Sequence, residues 1–202
     1  MQLQVDQDRI SQAIRETELK TSAEIVCVLA RSSHDYATLP LMWATVFGLL
    51  APWVLIATTQ MTIERILLAQ AIVFGALMLV LSYPQLRVKL APRAMRRAHA
   101  HRAAMEQFMV RGLARTRDRR GVLIFVSLAE HYVRIVADDG VAERIGQPDW
   151  QGTVDAMIAH LRKGDVTEGF LDAINRTGDL LAAHFPPEAG DAQVLPDRIY
   201  VI

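Results

Sequence analysis

Gly121-Val-Leu-Ile-Phe-Val-Ser-Leu128, followed by Ala129-Glu130 and then His131-Tyr-Val-Arg-Ile-Val-Ala-Asp138, decides how this chain folds. The first eight residues are apolar and β-branched, the composition of a buried strand. Ala129-Glu130 reads as a tight turn. In the returning segment Tyr132, Arg134 and Val136 alternate with Val133, Ile135 and Ala137, so two faces are distinguished at the period of a strand. This is a β-hairpin. A lone hairpin is marginal in water, so it needs neighbours and cover.

Working outward, Ala23-Glu-Ile-Val-Cys-Val-Leu-Ala30 reads as a second buried strand. Residues 6–20 place Ile10, Ala13 and Ile14 at helical spacing behind Asp6, a side chain suited to an N-cap. Pro92 opens a helix whose expected apolar face is Met95, Ala98, Met105, Phe108/Met109 and Leu113. After the hairpin, helices are predicted at Val141–Ile145, Trp150–Arg162 and Thr167–Phe185. Pro186-Pro187 breaks the last of these, and a tail ends in Leu195-Pro-Asp-Arg-Ile-Tyr-Val-Ile202.

Between the two strand regions the sequence changes character. Tyr36–Ile63 and Ile66–Leu86 carry no charge, and only Glu64-Arg65 separates them. Each is long enough for a membrane span of about 20 residues. Tyr36, Trp43 and Tyr83 suit the interfaces, and Pro52 is tolerable within a membrane helix. The first run follows a polar segment, unlike a cleaved signal peptide. Basic residues flank the pair on both outer sides, with Arg9, Arg15, Lys20 and Arg31 before and Arg87, Lys89, Arg93, Arg96, Arg97 and Arg102 after. The positive-inside rule then predicts two spans with both termini cytoplasmic.

The 202 residues hold 22 Lys+Arg and 22 Asp+Glu. Zero net charge argues against nucleic acid as a partner. The neutral total hides an asymmetry. Residues 86–120 contain 11 bases and two acids, whereas 121–202 contain 13 acids and six bases. The basic segment is expected to attract anionic lipid headgroups. A single cysteine excludes an intramolecular disulfide and any Cys-based zinc cluster.

Strand 23–30 cannot fold alone, and the simplest solution pairs it with strand 121–128 across the apolar insertion. The basic helix then serves as the crossover between parallel strands. The soluble domain is discontinuous: 1–35 forms its first part, 39–84 the transmembrane hairpin, 85–187 its second part and 188–202 a C-terminal tail.

These segments resemble the TPM domain family. The resemblance is carried by Thr21-Ser-Ala-Glu-Ile-Val-Cys-Val, by Arg117-Asp-Arg-Arg leading into the hairpin, and by Gly164-Asp-Val-Thr-Glu-Gly-Phe170. More narrowly, the chain resembles bacterial membrane proteins in which two spans interrupt a TPM domain. This implies an α/β fold, an α/β/α sandwich on a small mixed sheet, interrupted by a two-helix transmembrane hairpin in the bacterial inner membrane. It implies less about chemistry, because some members are described as acid phosphatases, some bind calcium and others are accessory subunits.

Asp138-Asp139-Gly140 follows a strand and reads two ways. It is a helix cap, or it is an oxygen-ligand site for Ca²⁺ completed by Asp35, Glu143, Asp149 or a carbonyl of the 30–35 turn. Asp35 is expected at the same sheet edge as Asp138. Ser127, His131 and Asp138 have the residue types of a hydrolase triad on adjacent strands, but no G-x-S-x-G elbow surrounds Ser127. His99 and His101 are two apart and do not face one way on a helix. Cys27 reads as a small buried hydrophobe. Three functions follow as expectations: a membrane protein whose cytoplasmic domain binds or regulates a membrane-protein partner, a phosphatase or metal-dependent hydrolase, and a structural anchor.

Overall fold

The computed structural model describes residues 5–33, 36, 38–187 and 195–202. The chain packs as two compact units, Met1–Ser33 with Arg97–Ile202, and His34–Arg96.

The first unit is built on β1 (Glu24–Ala30), β2 (Gly121–Ser127), β3 (Tyr132–Ala137) and β4 (Ile199–Val201), in the order β3-β2-β1-β4. β1 and β2 are parallel, with Glu24 opposite Gly121 and Ala30 opposite Ser127. β2 and β3 are antiparallel, and β4 lies parallel to β1 at Cys27–Leu29. The central strands are buried on both faces, which is why they read as continuous apolar runs rather than alternations.

The pleat sends alternate residues to two cores. Ile25, Cys27, Leu29, Val122, Ile124, Val126, Val133 and Ile135 meet α1 (Gln7–Glu18), α7 (Gln147–Lys163) and α8 (Val166–His184), whose Ile10, Ile14, Trp150, Met157, Phe170, Ile174 and Leu181 fill that side. Val26, Val28, Leu123, Phe125 and Val136 meet α5 (Arg93–Val110) through Ala104 and Phe108. The result is an α/β/α sandwich on a mixed sheet, with β1 and β2 joined across the apolar insertion.

Local chemistry explains the ends. Asp6 caps α1 by accepting the Arg9 N–H at 3.1 Å. β4 reaches only as far as Cys27 along β1, and the Ile25 N–H instead donates to Glu18 Oε1 at 2.8 Å. Burial pushes the Cys27 thiol pKa upward, with the nearby Glu18 charge adding to the shift.

Several sequence expectations are corrected. The hairpin loop is four residues, since Ser127 pairs with Tyr132, and His131 takes φ +50° to close it. The buried stripe of α5 is Ala100, Ala104 and Phe108, while Met95, Met105 and Met109 are exposed. Small alanines let the helix approach the sheet closely, a position that the larger methionines do not fit. The final residues are not merely a tail, because β4 joins the sheet. Its three residues are too short to register as a strand signal.

The second unit holds α2 (Thr38–Thr58), α3 (Ile63–Leu81) and α4 (Pro84–Leu90). The second helix falls slightly short of the expected hairpin boundary at residue 84. It stops at Leu81, and Pro84 begins a new helix because the residue before a proline avoids the α region. Both α2 and α3 have the length and apolar composition of membrane spans, and most of each helix is not buried within the chain.

Candidate functional site

The acidic turn lies at one end of the sheet. Asp138 continues the ladder, its N–H donating to Gly121 O at 2.9 Å, and then caps α6 (Asp139–Ala142). The Asp139 N–H donates to Asp138 Oδ1 at 2.8 Å. The Arg119 guanidinium bridges both carboxylates, with Nη2 3.3 Å from Asp138 Oδ1 and Nη1 2.8 Å from Asp139 Oδ2. Asp138 is 4% exposed, and its buried Oδ2 has no hydrogen-bond partner among the described residues.

Arg119 reaches this position from a contorted turn. Asp118 and Arg119 both adopt positive φ, +58° and +54°. That conformation costs a non-glycine residue about 1–2 kcal/mol, less for aspartate. Gly140 is required by contact with this turn: a Cβ there would lie 2.3 Å from Asp118 O and 2.8 Å from Arg119 O. The neighbouring arginines are also engaged. Arg120 donates to Ser22 Oγ at 2.7 Å and lies over the Phe185 ring, and Arg144 lies over the same ring while donating to His184 O at 2.9 Å.

The donor set does not fit a calcium ion as it stands. Ca²⁺ takes six to eight oxygens, whereas Asp138 and Asp139 offer two carboxylates that already share the Arg119 guanidinium. Asp149 accepts the Gly146 N–H at 2.8 Å and so completes the cap of α7, and Glu143 is exposed at the end of α6. No group of three or more His, Cys, Asp or Glu side chains suited to a metal occurs among the described residues. Asp35 lies outside the described residues. The part of its turn that is described, Arg31–Ser33, leaves β1 at the end of the sheet opposite Asp138.

The same topology breaks up the triad. Ser127 ends β2 where β3 begins, while Asp138 lies beyond the far end of β3, about 20 Å away along the strand. Ser127 instead serves Glu130, a residue that sequence reasoning took only for part of a turn. The buried Glu130 carboxylate accepts the Ser127 hydroxyl, the Ser32 hydroxyl at 3.2 Å and the Ser33 N–H at 3.1 Å. Arg119 was likewise missed as the counter-ion of Asp138. The Arg117-Asp-Arg-Arg120 run ahead of the strand was the available signal.

A three-layer sandwich whose hairpin packs on α7 and α8, with an arginine-bridged acidic turn at one end, defines a class of small α/β domains. A family model of the TPM domain matches residues 82–180, so the chain carries a TPM domain. The NMR structure of the BA42 protein from the psychrophilic bacterium Bizionia argentinensis shares the fold, with a TM-score of 0.59 at 20% identity over 96% of this chain and 91% of that one. No curated protein matches the chain.

Proposed function

We propose that this chain is a two-span protein of the bacterial inner membrane whose TPM domain binds or regulates a membrane-associated partner from the cytoplasmic side. The observation that carries the reading is the apolar surface of the inserted helices. Trp53, Ile56, Leu68, Ile72 and Leu79 are all more than 60% exposed, a surface that water penalises and lipid accepts. Connectivity supports the topology: the chain leaves one domain after β1 and returns to it through α5, so both ends of the insertion belong to one side. The exposed methionines of α5, interleaved with Arg93, Arg97 and Arg102, support contact with anionic headgroups. Ser127 and the acidic turn are occupied by Glu130 and Arg119, which favours binding over hydrolysis.

Alkaline carbonate extraction and terminal reporter fusions test the reading. The expected result is retention in the membrane, with both termini inside. An outside-only reporter active at either end overturns the topology. Metal-dependent phosphate release from p-nitrophenyl phosphate, lost in Asp138→Asn/Asp139→Asn, would favour a phosphatase instead.

A further inference from the structure

A groove of about 410 Å³ runs between α2 and α3, lined by Thr45, Gly48 and Leu49 on one helix and Leu67, Gln70, Ala71 and Phe74 on the other. Phe74 packs over Gly48, where a Cβ would meet its ring at 3.3 Å. Leu49 and Leu67 remain 62% and 58% exposed on the groove walls.

The polar residues of this groove stand apart from those elsewhere in the same unit. Thr58 and Thr59 satisfy their hydroxyls within the chain, donating to Val54 O at 2.7 Å and Leu55 O at 2.6 Å. Among the described residues, neither the Gln70 carboxamide nor the Thr45 hydroxyl makes a hydrogen bond. Gln70 lies two residues from the midpoint of α3, about 3 Å along the axis. Lipid tails offer it neither donor nor acceptor, so at that depth it needs a hydrogen-bonding partner.

We propose that the groove is the interface of a symmetric dimer, in which Gln70 of one chain pairs with Gln70 of a second copy. A carboxamide both donates and accepts. Two copies of one residue across a two-fold axis can therefore pair reciprocally, each carboxamide donating one N–H and accepting one, as an isologous contact allows. No charged residue occurs from Thr38 to Thr58 or from Ile66 to Leu81, so this surface selects no oppositely charged partner. Ala71 beside Gln70 presents little bulk, which allows the close helix approach that membrane packing uses.

The proposal rests on the membrane-spanning reading, and the experiment separates the two. Full-length chains labelled at the N-terminus with donor or acceptor dyes are reconstituted in phosphatidylcholine–phosphatidylglycerol vesicles, and energy transfer is followed on dilution with lipid. The expected result is dilution-dependent transfer for the wild type, with the association constant lowered about three- to thirtyfold in Gln70→Leu. Gln70→Asn, which keeps the carboxamide, retains more association than Gln70→Leu. Protein released by alkaline carbonate overturns both readings. Retained protein with transfer no higher than a monomeric control, or equal association in wild type and Gln70→Leu, overturns the dimer alone.

Discussion

The Glu130 carboxylate accepts the Ser33 N–H at 3.1 Å across a sequence separation of 97. Glu130 sits in the β2–β3 loop, and Ser33 is where the chain leaves the sheet for the apolar insertion. One side chain thus fastens the exit of the first segment to the hairpin of the second. Glu130→Ala leaves the buried Ser127 hydroxyl and the Ser33 N–H without their acceptor. The expected loss is about 2–4 kcal/mol of unfolding free energy, read by urea denaturation in detergent. Ser33→Ala keeps the N–H and should stay within about 0.5 kcal/mol of wild type. Equal stabilities of Glu130→Ala and Ser33→Ala would reduce the contact to a bystander.

At the opposite end of the sheet, Arg119 occupies the place that a cation would take between Asp138 and Asp139. Calcium should therefore leave the wild-type melting temperature unchanged. Arg119→Ala strips the buried Asp138 of its counter-charge, and the expected cost is about 1–2 kcal/mol because Arg119 is itself more than half exposed. Millimolar Ca²⁺ should then recover part of that loss in the variant, as a ligand binding only the folded state does. A variant unmoved by Ca²⁺ assigns the acidic pair to capping alone. A shift in the wild type would show a calcium site that coexists with Arg119.

The sheet was legible in the sequence where strands are buried on both faces, because Ile25–Leu29 and Val122–Val126 are apolar without interruption. The antiparallel hairpin was legible from the alternation of Val133 and Ile135 against Arg134. The site was less so. Which residue neutralises Asp138 depends on two consecutive positive-φ residues, and nothing in the pattern Arg117-Asp-Arg-Arg120 announces that backbone. The direction of β1 relative to β3 was decisive as well. A parallel β1 carries residues 31–33 away from Asp138, to the other end of the sheet, while Asp35 itself lies outside the described residues. α5 misled for a different reason: methionines carry more apolar weight than alanines, yet close packing against a sheet selects the smaller side chain.

Cys27 pairs with Ile124 on one side and Ile199 on the other, in the middle of the sheet. Burial raises its thiol pKa, so the folded chain holds the neutral form while an unfolded chain ionises above about pH 8.5. A raised folded value means that its stability contribution is complete below the unfolded value and is lost as pH rises beyond it. Relative to Cys27→Ala, stability should fall by about 1.4 kcal/mol per pH unit above roughly pH 9. Iodoacetamide labelling at pH 8.5 should proceed only at the rate of unfolding. Fast labelling under native conditions would mean that the strand opens locally.

The last prediction concerns the discontinuity of the domain. A fragment of residues 93–202 lacks α1 and β1. β2 then loses its parallel neighbour, and β4 loses the strand it pairs with, because β1 lies between them in the sheet. α8 also loses the packing of Ile10 and Ile14 from α1. What remains is a two-stranded hairpin with helices on it, which is marginal without further strands. The fragment should therefore melt without cooperativity and bind an apolar dye. The insertion itself is a different matter, since its helices add no strand to the sheet. Replacing residues 36–90 with a flexible linker of about 20 residues, which reaches roughly 25 Å, should restore a cooperative transition. Near-UV circular dichroism through thermal unfolding distinguishes the two chains. A cooperative, native-like melt of 93–202 alone would make β1 dispensable and sink the discontinuous domain.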